Sequence, residues 1–312
     1  MSFPFTLAIV LAATYGLTNM LLSCGVTLAW CLRLHAAPAT ANDLLALRLV
    51  PAAGALFLTL TVVLPAFLIY EPSHEAEETG PLLTLLVLIA VIVVGDAARR
   101  TRGALTAARR LLDRCGLGIR SHMAPTFDVV DVADPIVAVV GTWRPRILIS
   151  RRVVNECDAA EFGAVIAHER AHVRARDNIK LLLLVACPDA LARLPVGRAI
   201  LSRWRSTAEV EADDRATGAD PHRRVALAAA LVRVARLASE AGYPTRIPGM
   251  AVAADDVETR VRRLLAPRVV EARPAIGIAR TLIAGALLLS ISAVPLHGWI
   301  YAGIEGLVDF GR

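Results

Sequence analysis

Apolar and polar positions are segregated along this chain rather than interleaved. Residues 1–32 contain no Asp, Glu, Lys or Arg, and Leu49–Tyr70 is a second uncharged run of 22 residues. Pro81–Gly95 is a third run, of 15 residues, extended by Asp96-Ala97-Ala98; Thr281–Ile304 is a fourth, interrupted only by His297. A helix needs roughly 20 apolar residues to cross the hydrocarbon core of a bilayer. The pattern therefore predicts four membrane spans, over 4–32, 48–70, 81–98 and 276–304, with a short tail at 305–312. The first run lacks a basic leader and is far longer than the apolar core of a signal peptide, so it reads as a span.

The periodicity changes between the third and fourth runs. Asp96–Leu117 has Leu105, Ala108, Leu111 and Leu112 at helical spacing with arginines between them, which predicts a juxtamembrane helix ending at Gly116 and Gly118. Phe127–Val132, Ile136–Val140 and Arg146–Ser150 are rich in Val and Ile, separated by Asp134-Pro135, Gly141 and Pro145, and read as short strands. Asp158 with Glu161 three residues on forms a capping-box pattern that opens a helix running to about Asp177. Leu181–Cys187 is too short to span and reads as a buried helix of the domain, placed to touch the membrane. Further helices are predicted across Arg203–Thr217, Pro221–Ala241 and Asp256–Leu265. The fold class expected is a mainly α integral membrane protein, three spans occupying 1–98 and an α+β domain, 99–275, lying before the fourth.

Composition agrees with a bilayer protein. Of 312 residues, 56% are hydrophobic, and the mean hydropathy is +0.56. Charge then supplies an orientation. Of the 34 basic residues, 31 lie between positions 96 and 280, against 21 acidic ones, a net +10 for that segment. Arg99, Arg100 and Arg102 follow the third span, Arg268, Arg273 and Arg280 precede the fourth, and Arg33 and Arg48 bracket the first loop, whereas Glu71–Gly80 holds four glutamates and no basic residue. Basic flanks stay in the cytoplasm. The expected topology is an outside N-terminus and a cytoplasmic 99–275 domain. The arginines are dispersed without aromatic interleaving, so they point to a face opposite anionic headgroups rather than to direct nucleic-acid binding. Five cysteines with no CxxC pair argue against a disulfide framework.

The chemistry sits at His168-Glu169-Arg170-Ala171-His172. Two histidines four apart stand on one helical face, so both imidazoles can reach one zinc ion, and the adjacent glutamate can take a proton from water there. The preceding Phe162–Ala167 is apolar, which buries the motif; an unliganded His-Glu-His cluster would be costly to desolvate. A third ligand must come from elsewhere. Glu209 is the candidate, because Glu209 and Asp213 share a helical face and Asp213 can accept a hydrogen bond from a ligating histidine. Glu211, the rival, lies about 200° round the helix from Glu209, and Asp214 points away with it. Small Ala212 and Ala216 allow close packing. Asp177 is read as ending the motif helix, and His222 as a surface residue, with His35, His74, His122 and His297 in loops or interfaces.

These stretches together resemble the membrane-embedded antirepressor metallopeptidases, whose best-known members are bacterial beta-lactam sensor-transducers. The similarity rests on Val140–Ser150 with its Gly…Arg-Pro-x-Ile strand, on Glu161–Asp177 with the histidine motif, on Glu209-x-x-x-Asp213-x-x-Ala216, and on Val257–Leu265 ending Arg-Arg-Leu-Leu. The resemblance covers most of 81–304. It implies a cytoplasmic gluzincin-type peptidase domain with one Zn2+ held by His168, His172 and Glu209, and Glu169 as the catalytic glutamate. It also implies regulatory proteolysis of a protein substrate, a winged-helix repressor, at the bacterial plasma membrane. Sensor members carry an extracellular ligand-binding domain after the last span; this chain stops at Arg312, so a member without that domain is expected.

Two other functions use the same residues. HtpX-like quality-control proteases and CAAX-processing proteases also pair HExxH with a downstream Glu-x-x-x-Asp in a membrane protein, but the Gly…Arg-Pro-Arg-Ile strand favours the antirepressor group. A non-catalytic signalling scaffold would have no use for a base at Glu169.

Overall fold

The computed structural model describes residues 3–35, 39–70, 80–116, 127–240 and 254–266. The predicted fourth span, the tail after it, the acidic loop at 71–79, Gly118, the flanking Arg268, Arg273 and Arg280, and His74, His122 and His297 lie outside them. The described elements run α1 (Phe3–Ala29), α2 (Ala41–Leu58), α3 (Leu64–Tyr70), α4 (Pro81–Arg114), β1 (Asp128–Val130), β2 (Val137–Val140), β3 (Arg146–Ser150), α5 (Arg151–Glu156), α6 (Ala159–Ala175), α7 (Asp177–Ala186), α8 (Pro195–Thr217), α9 (Pro221–Glu240) and α10 (Ala254–Leu265). π-Helical turns at Trp30–Leu34 and Thr59–Val63 continue α1 and join α2 to α3. The described residues divide into two compact units, one within 1–100 and 184–203, the other within 101–183 and 204–272.

Among the described residues, three helical stretches are long and apolar enough to cross a membrane: Pro4–Leu32, Ala41–Ile69 and Pro81–Arg114. The second begins seven residues before the predicted 48, because Thr40 and Asp43 close a capping box: Asp43 N–H donates to Thr40 Oγ1 at 3.2 Å and Thr40 N–H to Asp43 Oδ2 at 3.0 Å. The third does not stop at residue 98. It continues unbroken to Arg114, so the predicted span and juxtamembrane helix are one helix. Gly16 lets α1 meet α4 backbone to backbone, since a Cβ there would stand 2.5 Å from the Leu86 carbonyl oxygen. Leu21, Leu28, Ile69, Leu88 and Val91 remain exposed, an apolar exterior suited to lipid rather than water.

The segment after α7 joins the first unit through polar contacts. Pro188 O accepts from Asn19 Nδ2 at 2.9 Å and from the Tyr15 hydroxyl at 2.5 Å, and Ala190 N–H donates to Asn19 Oδ1 at 3.1 Å. Arg100 donates to Val185 O at 2.7 Å and Cys187 O at 3.0 Å. Arg48 forms a fully buried ion pair with Asp189. Of the predicted Leu181–Cys187 helix, the residues from Leu184 onward group with the apolar helices.

In the second unit the sheet order is β1-β3-β2, with β1 parallel and β2 antiparallel to β3. Central β3 is buried on both faces, as an Ile-Leu-Ile run requires. Ile147 and Ile149 pack with Val153, Ile166 of α6 and Leu237 of α9. Leu148 faces the other way, with Ile136, Val140 and the Leu111-Leu112 end of α4. Gly141 (φ +98°) makes the β2–β3 turn, where a Cβ would lie 2.7 Å from Arg144 O. A second core of Ala164, Ala216, Leu227, Ala228 and Leu264 joins α6, α8, α9 and α10. Its small residues let the four helices approach closely.

Candidate metal centre

The motif lies on α6, whose start is fixed by the predicted capping box. Glu161 N–H donates to Asp158 Oδ1 at 2.8 Å, and Asp158 N–H donates back to Glu161 Oε2 at 3.0 Å. Glu161 is also gripped by Arg233 of α9, at 2.8 and 2.9 Å. One turn and more further on, His168 and Glu169 are buried.

The two imidazoles face each other through Nε2, 3.2 Å apart. Glu209 of α8 completes a triangle: Oε2 is 3.4 Å from His168 Nε2, and Oε1 is 3.5 Å from His172 Nε2. Two imidazole lone pairs directed at each other and at a carboxylate need a cation or protons between them. A tetrahedral ion with bonds of about 2.0–2.1 Å spaces its ligand atoms by roughly 3.3–3.4 Å. The Nε2–Nε2 separation of 3.2 Å is close to that spacing, and one ligand atom from each of His168, His172 and Glu209 lies within 4.8 Å of the others, so the three suit a small divalent cation. The rival Glu211 instead pairs with Arg215 at 2.5 Å, and Asp214 pairs with Arg263. His222 is exposed at the start of α9.

Each histidine has a carboxylate behind it. His168 Nδ1 stands 3.0 Å from Asp213 Oδ1 in an ion-pair contact, although its N–H is not aligned for a hydrogen bond. His172 Nδ1 donates to Asp177 Oδ2 at 2.8 Å. Asp177 is thus corrected from a helix-ending residue to the partner of a motif histidine. On a continuous helix, residue 177 would sit about 140° round from residue 172. Arg176 takes the left-handed conformation (φ 56°), ends α6, and turns the chain so that Asp177 opens α7 under the His172 ring. Asn178 then holds the turn against the edge strand, donating to Val139 O at 3.0 Å and Gly141 O at 2.8 Å.

Arg260 of α10 is a second residue not anticipated. Its side chain is 3% exposed; it donates to Asp213 from Nε and Nη2 at 2.9 and 2.7 Å, and Nη1 lies 2.8 Å from Glu209 Oε2. The signal for it was in the chain. Val257, Arg260, Val261 and Leu264 form one helical stripe, and an arginine inside an apolar stripe demands buried carboxylates. Arg224 of α9 fixes α10 by donating to Leu264 O and Arg263 O at 2.8 and 2.7 Å.

The electrostatics divide the carboxylates. Burial pushes the Glu209 carboxyl up, but hydrogen bonds from His168 and His172 and the Arg260 charge outweigh it, and Glu209 stays ionised. Asp213 is likewise held low against burial by His168 and Arg260. Glu169 goes the other way. Burial raises its carboxyl above the ordinary range, with His168 and His172 pulling back only in part. Burial lowers the His172 imidazole, but Asp177 and Glu209 overcome it and raise it to about 10. One group of carboxylates is thus fixed as anions, and one glutamate is poised to exchange a proton.

Residues 78–264 match the sequence model of the family described as BlaR1 peptidase M56. The chain belongs to that family. The matched stretch holds α4, the sheet, both motif histidines, Glu209, Asp213 and Arg260. No curated protein and no solved structure matches the chain. Family membership makes this a metallopeptidase-family protein, and the three long apolar helices make it membrane-associated.

Proposed function

We propose that the chain is a membrane-bound zinc endopeptidase that cuts a protein substrate in the cytoplasm, and that the substrate is a transcriptional repressor of the winged-helix type. The observation that carries the reading is the convergence of His168 Nε2 and His172 Nε2, 3.2 Å apart, on the Glu209 carboxylate, which turns one oxygen to each ring. A divalent cation held there supplies Lewis acidity, acidifying water and polarising a peptide carbonyl.

The chain's own residues do the rest. Asp177 fixes the ring plane of His172 by a hydrogen bond to Nδ1, and Asp213 lies 3.0 Å behind Nδ1 of His168 as its charge partner. Glu169, raised by burial, accepts a proton from the attacking water and returns it to the leaving amine. Glu209 stays anionic and cannot take that role. Topology follows from the arginine-rich flanks: the 99–275 domain lies in the cytoplasm and 276–304 forms a fourth span. The repressor substrate and the role in regulatory proteolysis rest on the family.

The test is cleavage by the full-length protein in detergent. Glu169→Gln should keep its zinc and lose on the order of 10²–10⁴-fold in peptide hydrolysis. A Glu169→Gln protein that cuts at the native rate contradicts the assignment. For the substrate, a deletion strain should accumulate one repressor; a broad rise of damaged membrane proteins would point instead to quality control.

A further inference from the structure

Arg260 is the one guanidinium that reaches into the triangle of ligand atoms among the described residues, and the proposed chemistry does not use it. Its fork is divided between two carboxylates of α8. Nε and Nη2 take Asp213 as a side-on pair at 2.9 and 2.7 Å, and Nη1 takes Oε2 of Glu209 at 2.8 Å. Nη2 is also 3.5 Å from His168 Nε2. The two oxygens of Glu209 are thereby made unequal. Oε2 faces Arg260 and His168; Oε1 faces His172, at 3.5 Å.

The inequality matters because a free carboxylate can chelate a cation through both oxygens. A catalytic site of this kind needs three protein ligands and one open position. A glutamate binding through both oxygens would fill that position. A planar guanidinium with fixed donor directions can reserve one oxygen while bracing a second carboxylate; an ammonium is a point charge and cannot do both. α10 is held firmly enough for the task. Arg224 caps its C-terminal carbonyls, Arg263 pairs with Asp214, and Leu264 is buried against Leu227 and Ala216.

We infer that Arg260 is a positioning residue of the metal centre: by gripping Oε2 of Glu209 it leaves Oε1 as the oxygen offered to the cation and keeps a coordination place free for substrate. The inference rests on the proposed metal reading and adds to it a cause for the open position.

The test uses cobalt as a spectroscopic stand-in for zinc in the full-length protein in detergent. Visible absorption by Co2+ is strong at four-coordinate sites and weakens as coordination rises. The native protein should show the strong bands. In Arg260→Gln and Arg260→Lys, Oε2 is released to the ion, and absorptivity should fall about twofold or more as a fifth ligand joins. The lysine variant retains a positive charge beside buried Asp213, so it guards against loss of fold in the glutamine variant. A native-like spectrum in either folded variant overturns the inference. Failure of both to fold also overturns it, since Arg260 would then be a structural residue. If the native chain takes up no cobalt, the metal reading itself fails, which is a separate result.

Discussion

His172 is held on both sides, by Asp177 at Nδ1 and by Glu209 facing Nε2. The consequence is a pH dependence with a definite sign. Its pKa in the fold, about 10, lies above the ordinary imidazole value of 6.5. Protonation therefore stabilises the metal-free fold fully below pH 6.5, and that contribution is lost as pH rises through about 10. A cation must displace this proton. Zinc affinity, read by competition with a chelating dye, should climb with pH across the same window, by up to about tenfold per unit for each proton displaced. Asp177→Asn removes the chief support of the raised value, so the climb should flatten above pH 7. A pH-independent affinity in the native protein would contradict the arrangement. The histidine pair, Glu169, Glu209 and Asp213 could be named as candidates from spacing alone, because an intact helix places i and i+4 on one face. Asp177 and Arg260 could not be placed that way. The first depends on a left-handed arginine at position 176, where no glycine announces the turn; the second lies 47 residues from Asp213 and reaches it only through the packing of α10.

Among the elements, the 185–193 segment combines buried apolar residues, Cys187 and Leu191, with buried polar contacts. Arg48 of α2 and Asp189 have side chains 4% and 0% exposed. Removing one member strands a buried charge and costs about 3–5 kcal/mol, whereas replacing both with apolar residues of similar size costs little. Thermal unfolding in detergent should show Arg48→Ala and Asp189→Ala strongly destabilised and the Arg48→Met, Asp189→Leu pair much less so; three equal melting temperatures would refute the buried pair. On α8, Ala212 is fully buried, and Ala212→Leu should lose about 1–3 kcal/mol by overpacking. A neutral result would mean that α8 is loosely seated. The strands, the α6 capping box and α8–α10 were legible because each has its own local signal: β-branched runs between turn residues, Asp158 with Glu161, and apolar stripes at helical spacing. The boundaries of the apolar helices were not. At α2 the Asp43 carboxylate accepts from the Thr40 backbone N–H at 3.0 Å, and in α4 Asp96 pairs with Arg99 at 2.7 Å and Arg100 at 3.0 Å, so charged residues are accommodated where the pattern alone predicted an end.

For the whole molecule, three apolar helices with exposed leucines, isoleucines and valines predict a protein that partitions with membranes and resists extraction by high salt or alkaline carbonate. Release by such washing would contradict an integral protein. Reporter fusions after residue 116 and within residues 71–79 should report opposite sides, cytoplasmic and outside. Every functional step proposed here depends on one ion. Metal analysis of the purified full-length protein is the most direct test. Close to one equivalent of zinc per chain is expected, lost in Glu209→Ala and kept in Glu169→Gln. A native protein without stoichiometric zinc, or a Glu209→Ala protein that retains it, would rule out a zinc centre built on His168, His172 and Glu209.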